Sequence, residues 1–94
     1  MAYSIRPLDS FENSFKKLDR QIARRAIQKL ENLAQNPEII GGPMANLPKD
    51  LAGLHKARVG DWRVFFWVDR NRKEIVPYLV DRRDIIYKKL FEKK

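Results

Sequence analysis

The 94-residue sequence contains no cysteine and a single histidine, His55. The absence of cysteine excludes disulfide frameworks, thiol nucleophiles and thiolate metal sites. One imidazole also excludes a histidine-rich metal site and the nuclease mechanisms that need a pair of histidines. Any catalysis must therefore depend on Lys, Arg, Tyr, Asp or Glu side chains, and we expect neither a metal nor another cofactor.

Long apolar runs are also missing. No stretch approaches the roughly 20 consecutive apolar residues that span a bilayer, and the start MAYSIRPLDS has no apolar run of signal-peptide length. We therefore expect a cytoplasmic protein without a membrane partner. The length predicts one domain over residues 1–94, and a hydrophobic share of 44% excludes an intrinsically disordered chain.

Positive charge is what the sequence has in excess. Twenty Lys and Arg against twelve Asp and Glu give a formal net charge of +8, and residues 53–94 hold twelve of the basic and six of the acidic residues. A polyanion such as nucleic acid is therefore the first partner class to consider. The alternative is a surface whose basic residues are merely solvated, and convergence of the charges would distinguish the two.

The first part of the chain has the periodicity of a strand followed by two helices. A weak alternation over residues 3–8 predicts a short strand, and Asp9 and Asp19 stand where N-caps would begin two helices. The second helix, over residues 21–35, has the clearest amphipathic pattern. Residues 36–53 contain three Pro and three Gly and are predicted to be a loop long enough to be functional or mobile.

The remainder reads as three strands of a meander and a terminal helix. Residues 54–59 and 62–68 flank Gly60-Asp61, a strong hairpin signal. A third strand over residues 74–80 contains Pro77, which predicts a bulge or an exposed edge because proline lacks an amide donor. The predicted fold is α+β, a mainly antiparallel four-stranded twisted sheet with the helical hairpin on one face and a short C-terminal helix (82–91) capped by Asp81.

Basic residues cluster on the predicted hairpin. Alternation puts Lys56 and Arg58 on one face of their strand, while His55 faces the other way and is expected to have a packing or hydrogen-bonding role. Arg63 lies in a strand that is apolar on both faces, so it needs an anionic partner, either a protein carboxylate or an external phosphate. For Lys56 and Arg58 the alternative is an edge strand kept soluble by charge. Tyr87 follows the third strand in the predicted C-terminal helix, and a tyrosine on the surface of a helix commonly packs against the core without a role in function.

The order of these elements and two strings of residues resemble the RelE/ParE superfamily of bacterial and archaeal toxins. LHKARVGDWRV (residues 54–64) and VDRRDIIY (residues 80–87) are similar to the family strings L-Y-R-[IL]-R-V-G-D-[YW]-R-[VI] and G-H-R-[RK]-[DE]-x-x-Y. The resemblance covers nearly the whole chain and implies the toxin of a type II toxin–antitoxin system. Its RelE branch implies a ribosome-dependent endoribonuclease that cuts messenger RNA in the ribosomal A site and is held inactive by a cognate antitoxin.

The resemblance also implies which residues act. Asp81 departs from the pattern, since many relatives have His there, and a Glu that some related toxins use as a base is lacking. A mechanism built on a His/Glu pair is therefore disfavoured. By position the catalytic set falls on Lys56, Arg58, Arg63, Arg82 and Tyr87, and the RNA-binding set on Lys56, Arg58, Arg83 and Lys88.

A metal-free reaction is chemically consistent with this set. Fixed guanidinium and ammonium groups on Arg58, Arg63 and Arg82 would stabilise the negative charge that develops when the RNA 2′-hydroxyl attacks the adjacent phosphate. Clustered cations lower the pKa of a neighbouring Tyr or Lys, so either Tyr87 or Lys56 would be the base. The alternative within the superfamily is a ParE-type toxin, which poisons DNA gyrase by binding protein and has no nuclease activity.

Overall fold

The computed structural model describes residues 2–82. The rest of the predicted C-terminal helix, including Arg83, Tyr87 and Lys88, lies outside the described residues. In chain order the α-helices and strands are β1 (Ser4–Ile5), α1 (Asp9–Phe15), α2 (Arg20–Gln35), β2 (His55–Val59), β3 (Trp62–Asp69) and β4 (Glu74–Arg82). Two short 3-10 helices, Pro37–Ile39 and Lys49–Leu51, lie between α2 and β2. No helix between residues 2 and 82 has the length and apolar character needed to cross a membrane.

The four strands form one sheet in the order β1-β4-β3-β2. β2, β3 and β4 are antiparallel neighbours, whereas β1 runs parallel to β4, so the predicted mainly antiparallel four-stranded sheet is confirmed. The pairing of the N-terminal segment extends beyond β1, in keeping with the predicted strand over residues 3–8. Its amides at Ser4, Arg6 and Leu8 donate to the carbonyls of Lys73, Ile75 and Pro77 at 3.0, 2.8 and 3.0 Å.

The helical hairpin covers one face of the sheet, as the amphipathic pattern predicts. The buried stripe of α2 contains Leu30 and Leu33, and it joins Phe11 of α1 in a cluster with Val64 and Phe66 of β3. Burying each such side chain contributes about 1.5–3 kcal/mol. This cluster fixes α2 beside β2, the strand at the edge of the sheet.

Only one of the two predicted helix caps forms. The Asp19 carboxylate accepts a hydrogen bond from the Ile22 amide at 2.9 Å and caps α2. The prediction for Asp9 is wrong, because α1 already begins at that residue, and Leu8 occupies the N-cap position without a side-chain hydrogen bond. The Leu8 amide is instead used in pairing with β4, which sets where the helix begins.

Pro77 sits beside a bulge in the middle of β4. Phe65 pairs with Leu79 and Phe66 with Pro77, so Tyr78 is an extra residue on β4. The predicted bulge is therefore confirmed, although β4 is a central strand and not an exposed edge. Helix α1 satisfies backbone groups here, because Ser10 Oγ donates to the Tyr78 carbonyl at 2.6 Å and the Val80 amide donates to Ser14 Oγ at 3.1 Å.

The loop over residues 36–53 is a packed cover for the second face of the sheet. Leu51 is fully buried against Leu54 and Phe65. The indole of Trp67 donates to the Ala52 carbonyl at 2.9 Å, which ties the loop to β3. Its length therefore reflects a structural task, since β3 is apolar on both faces and each face needs a partner.

Candidate functional site

The basic residues predicted on the hairpin share the face of the sheet that lies opposite the helices. Arg58 pairs directly with Arg63 across β2 and β3, and Lys56 pairs with Phe65. Directly paired residues project from the same face of a sheet. Lys56 and Arg58 are exposed, whereas only 9% of the surface of Arg63 is accessible to solvent. The hairpin thus presents two exposed basic residues beside Arg63, which is nearly buried.

Main-chain carbonyls at the β2–β3 turn fix these arginines. Arg63 Nη1 donates to the Gly60 and Trp62 carbonyls at 3.1 and 3.0 Å, and Arg58 Nε donates to the Gly60 carbonyl at 3.4 Å. The need of Arg63 for acceptors is thus met in part by the backbone. A guanidinium has five N–H donors, so the Nη1 contacts orient Arg63 while using only part of its donor set.

Asp81 continues this row of charges across a third strand. It pairs directly with Arg63, and its Oδ1 accepts a hydrogen bond from the Arg82 amide at 2.8 Å. The prediction that Asp81 caps a helix beginning at Arg82 is wrong, because both residues belong to β4. The strand continues to this point because β3 offers pairing positions as far as Trp62.

Arg82 does not lie on the face of the sheet that carries Lys56, Arg58 and Arg63, although we expect the catalytic set Lys56, Arg58, Arg63, Arg82 and Tyr87 to converge on one concave basic surface. It pairs with Trp62, whose side chain packs with the cluster on the helix-covered face, so alternation puts Arg82 on the side of the sheet opposite Arg63. The bulge at Tyr78 causes this arrangement. Without the extra residue, alternation from Ile75 would bring Arg82 to the face of Arg63 and move Asp81 to the helix side.

A residue that sequence reasoning missed, Arg25 of α2, also reaches the β2–β3 turn. Gly60 has a φ of 60°, and a Cβ at this position would stand 3.4 Å from Arg25 Nη1. Glycine adopts this backbone conformation without the steric cost that other residues meet, and it leaves room for the guanidinium. The signal in the sequence is the pair Arg25 and Lys29, which are one helical turn apart on α2.

His55 has the packing role that its position in β2 predicts. Its ring stacks on Phe66 with centroids 5.4 Å apart and an interplanar angle of 15°. Burial, with a smaller contribution from the positive charge of Arg70, lowers the pKa of His55 below its ordinary value of 6.5, and a hydrogen bond to the Gly41 backbone opposes this shift. The neutral ring therefore joins the sheet to the loop.

The described part of the site consists mainly of cationic side chains. Among residues 2–82, no group of three or more His, Asp or Glu side chains is arranged to hold a metal ion. Lys56 and Arg58 lie on β2 and Arg63 pairs with Arg58 from β3, and ammonium and guanidinium groups are the side chains that bind phosphate oxygens.

Comparison with known protein families relates most of this chain to toxins of type II toxin–antitoxin systems. A family model described as ParE toxin of type II toxin-antitoxin system, parDE, matches residues 5–87. Toxin RelE of Mycobacterium tuberculosis (strain ATCC 25618 / H37Rv) is 38% identical over 56 residues, which are 60% of this chain and 55% of that protein. The match thus spans about half the length of that curated relative.

Solved structures agree on the architecture. The toxin–antitoxin complex RelBE2 from Mycobacterium tuberculosis contains a chain with a TM-score of 0.71 and 26% identity, the alignment covering 88% of this chain and 100% of that one. A free E. coli toxin RelE mutant superposes with a TM-score of 0.72 at 17% identity, over 98% of this chain and 97% of that one. The chain in the intact E. coli RelBE complex gives 0.71 at 16%, over 86% and 96%. The two E. coli comparisons show the fold alone.

Proposed function

Because this chain belongs to the family of ParE toxins of type II toxin–antitoxin systems, we propose that it is the toxin of such a pair. We further propose that, within the superfamily, it is an endoribonuclease that cleaves messenger RNA. The likeness to Toxin RelE and to the RelBE2 complex supports this choice within the superfamily. In this proposal the reaction takes place in the ribosomal A site without a metal. A cognate antitoxin binds the toxin and holds it inactive.

The observation that carries the proposal is the orientation of Arg63. Arg63 is nearly buried as a residue, its guanidinium is held by two backbone carbonyls, and it pairs directly with Arg58 on the neighbouring strand. A cation that is fixed before the substrate arrives stabilises developing charge without paying for reorganisation, and each such donor is typically worth about 3–4 kcal/mol. Arg63 therefore has the properties expected of a group that stabilises the transition state of phosphodiester cleavage.

The proposed reaction assigns a task to each residue. The RNA 2′ oxygen attacks the adjacent phosphorus and gives its proton to a base, while the bond from phosphorus to the 5′ oxygen of the next nucleotide breaks and that oxygen takes up a proton. Arg58 and Arg63 neutralise charge on the phosphoryl oxygens. Tyr87 and Lys56 stay as the alternative bases, and the catalytic role of Arg82 stays a prediction, as do the RNA contacts of Arg83 and Lys88.

The second candidate function is inhibition of DNA gyrase. Two observations favour it: the matching family model describes ParE toxins, and Arg82 lies across the sheet from Arg63. A gyrase poison would act by binding protein, so its basic residues would not need to converge on one phosphate.

Induction of the wild-type toxin without its antitoxin separates the two functions. The ribonuclease proposal predicts that translation stops, that new 5′ ends appear inside translated messages, and that the supercoiling of a reporter plasmid stays normal. Double-strand DNA breaks with intact messages would instead establish the gyrase alternative. Purified toxin added to ribosomes carrying a message with an empty A site provides the direct test, and purified gyrase with supercoiled plasmid serves as the parallel reaction.

A further inference from the structure

An open depression lies between α2 and the end of β2 nearest the Gly60 turn. It has a volume of about 310 Å³, and we call it the α2–β2 groove. It opens beside one edge of the sheet, because β2 is one of the two edge strands. Its lining residues are Arg25, Gln28, Lys29, Asn32, Arg58 and Val59.

The lining is basic and polar. Arg25, Lys29 and Arg58 are cations, Gln28 and Asn32 carry amide donors, and Val59 alone is apolar. No Asp or Glu is among the described residues that line it. Arg25 and Lys29 are four residues apart on α2, a spacing at which like charges destabilise a helix. A multiply charged anion would relieve this repulsion.

The groove is continuous with the candidate site. Arg58 lines the groove and also donates to the Gly60 carbonyl, which is shared with Arg63. On the other side, the Arg25 guanidinium lies against Gly60 itself. Cations from α2, β2 and β3 therefore meet at one turn, and a chain of phosphates could pass from the sheet face around its edge.

We propose that the α2–β2 groove binds the phosphate backbone of RNA as a second contact surface, with Arg25 and Lys29 as the phosphate ligands. This inference rests on the proposed ribonuclease function. The chemistry of the lining favours RNA over a protein segment, because cations and amide donors match phosphate oxygens. A peptide would seek apolar pockets for its anchoring side chains, and the groove offers only Val59.

The neighbouring depression has a different character. It has a volume of about 650 Å³ and shares Lys29 and Arg58 with the groove, but its other lining residues include Leu33, Ile39 and Ile40. We therefore restrict the proposal to the smaller groove.

The test compares two double variants with the same change in charge. Arg25→Gln/Lys29→Gln removes the proposed ligands. Arg20→Gln/Arg24→Gln is the matched control, since these residues are also four apart on α2 but line a different depression together with Glu31. The probes are a 2′-O-methylated single-stranded oligoribonucleotide, which lacks the attacking hydroxyl, and small ribosomal subunits without message. Binding is measured over a range of salt concentrations.

Loss of two phosphate contacts has a defined signature. For the oligoribonucleotide the slope of log K against log salt should fall by about 1.4, which corresponds to about 25-fold weaker binding at about 0.1 M salt and little difference near 1 M. The control variant should stay within about twofold of wild type. A loss with the oligoribonucleotide identifies the message as the source of the phosphates, and a loss only with the subunits identifies ribosomal RNA.

Three results would count against the reasoning in different ways. If Arg25→Gln/Lys29→Gln binds both probes as tightly as the control double variant does, the groove is not an RNA surface. If Arg25→Gln/Lys29→Gln weakens only antitoxin binding, the groove belongs to the antitoxin and the proposal is overturned. If the wild-type protein itself binds neither probe and cuts no message, the ribonuclease proposal fails, and the inference about the groove fails with it.

Discussion

Replacement of Arg63 by methionine tests the proposed reaction and its structural basis together. Methionine keeps an unbranched stem of similar length and removes the guanidinium, so the loss of packing is small compared with Arg63→Ala. The substitution deletes the two hydrogen bonds from Nη1 to the Gly60 and Trp62 carbonyls. Gly60 keeps the contact from Arg58 Nε, so only part of the acceptor demand at the turn is left unmet.

The effect on stability should be moderate. Hydrogen bonds to charged groups contribute about 1.5–3 kcal/mol each, but removing a nearly buried cation also removes its desolvation cost. We expect a net loss of about 1–2 kcal/mol in the free energy of unfolding, or about 4–16 °C in Tm for a domain of this size. A domain with an ordinary stability of about 5–15 kcal/mol stays folded after such a loss.

The effect on cleavage should be much larger. Loss of one preorganised donor to the transition state is expected to lower the rate by about 100–1000-fold, measured as single-turnover cleavage of a message held on the ribosome with an empty A site. Arg63→Lys should recover part of this loss, because it keeps the charge without the planar pair of donors. If Arg63→Met lowers Tm as expected and yet cleaves within about threefold of wild type, Arg63 does not stabilise the transition state.

Three further predictions concern the cap of α2, the pKa of His55 and the base in the proposed cleavage reaction. Asp19→Ala should lower the free energy of unfolding by about 1 kcal/mol because it removes the α2 cap, whereas Asp9→Ala should change it by only a few tenths; equal losses in thermal unfolding would contradict the assigned caps. Because the pKa of His55 is lowered in the folded state, the unfolded chain takes up the proton first, so stability should fall as pH decreases below about 6.5. His55→Gln should therefore reduce the dependence of Tm on pH between about pH 7.5 and 5.5. The same pH dependence in both proteins would contradict this prediction. Tyr87→Phe should abolish cleavage on the ribosome if the phenol is the base, and near-normal cleavage would assign the proton transfer to Lys56.

The hairpin could be predicted from sequence because its signals are local. Gly60-Asp61 between two alternating segments predicts β2 and β3 to within one residue of their ends. The capping aspartates were harder to distinguish, since Asp9 and Asp19 both precede helical periodicity. Only tertiary structure separates them. The Leu8 amide pairs with β4, and α1 begins at Asp9, one residue earlier than an Asp9 cap would give.

The composition of the candidate site depends on a bulge whose effect cannot be read from spacing alone. Pro77 predicts an irregularity, but not whether it inserts a residue. The insertion at Tyr78 reverses the alternation that follows, and this decides that Asp81 lies beside Arg63 and that Arg82 does not. Arg25 was missed for a related reason, because a helical residue and a turn glycine 35 positions later meet only when α2 packs beside the sheet edge.

The parallel pairing of β1 with β4 also governs when the molecule can become complete. The two paired strands are far apart in the sequence, as in the hydrogen bond from Arg6 Nε to Glu74 Oε1, which joins residues 68 positions apart. Contacts of such sequence separation form late, because the chain must first close a long loop. A nascent chain therefore cannot complete its sheet until β4 has left the ribosome that makes it. Under the proposed function, a toxin that acts on ribosomes thus lacks its complete sheet until β4 has emerged from the ribosome that makes it.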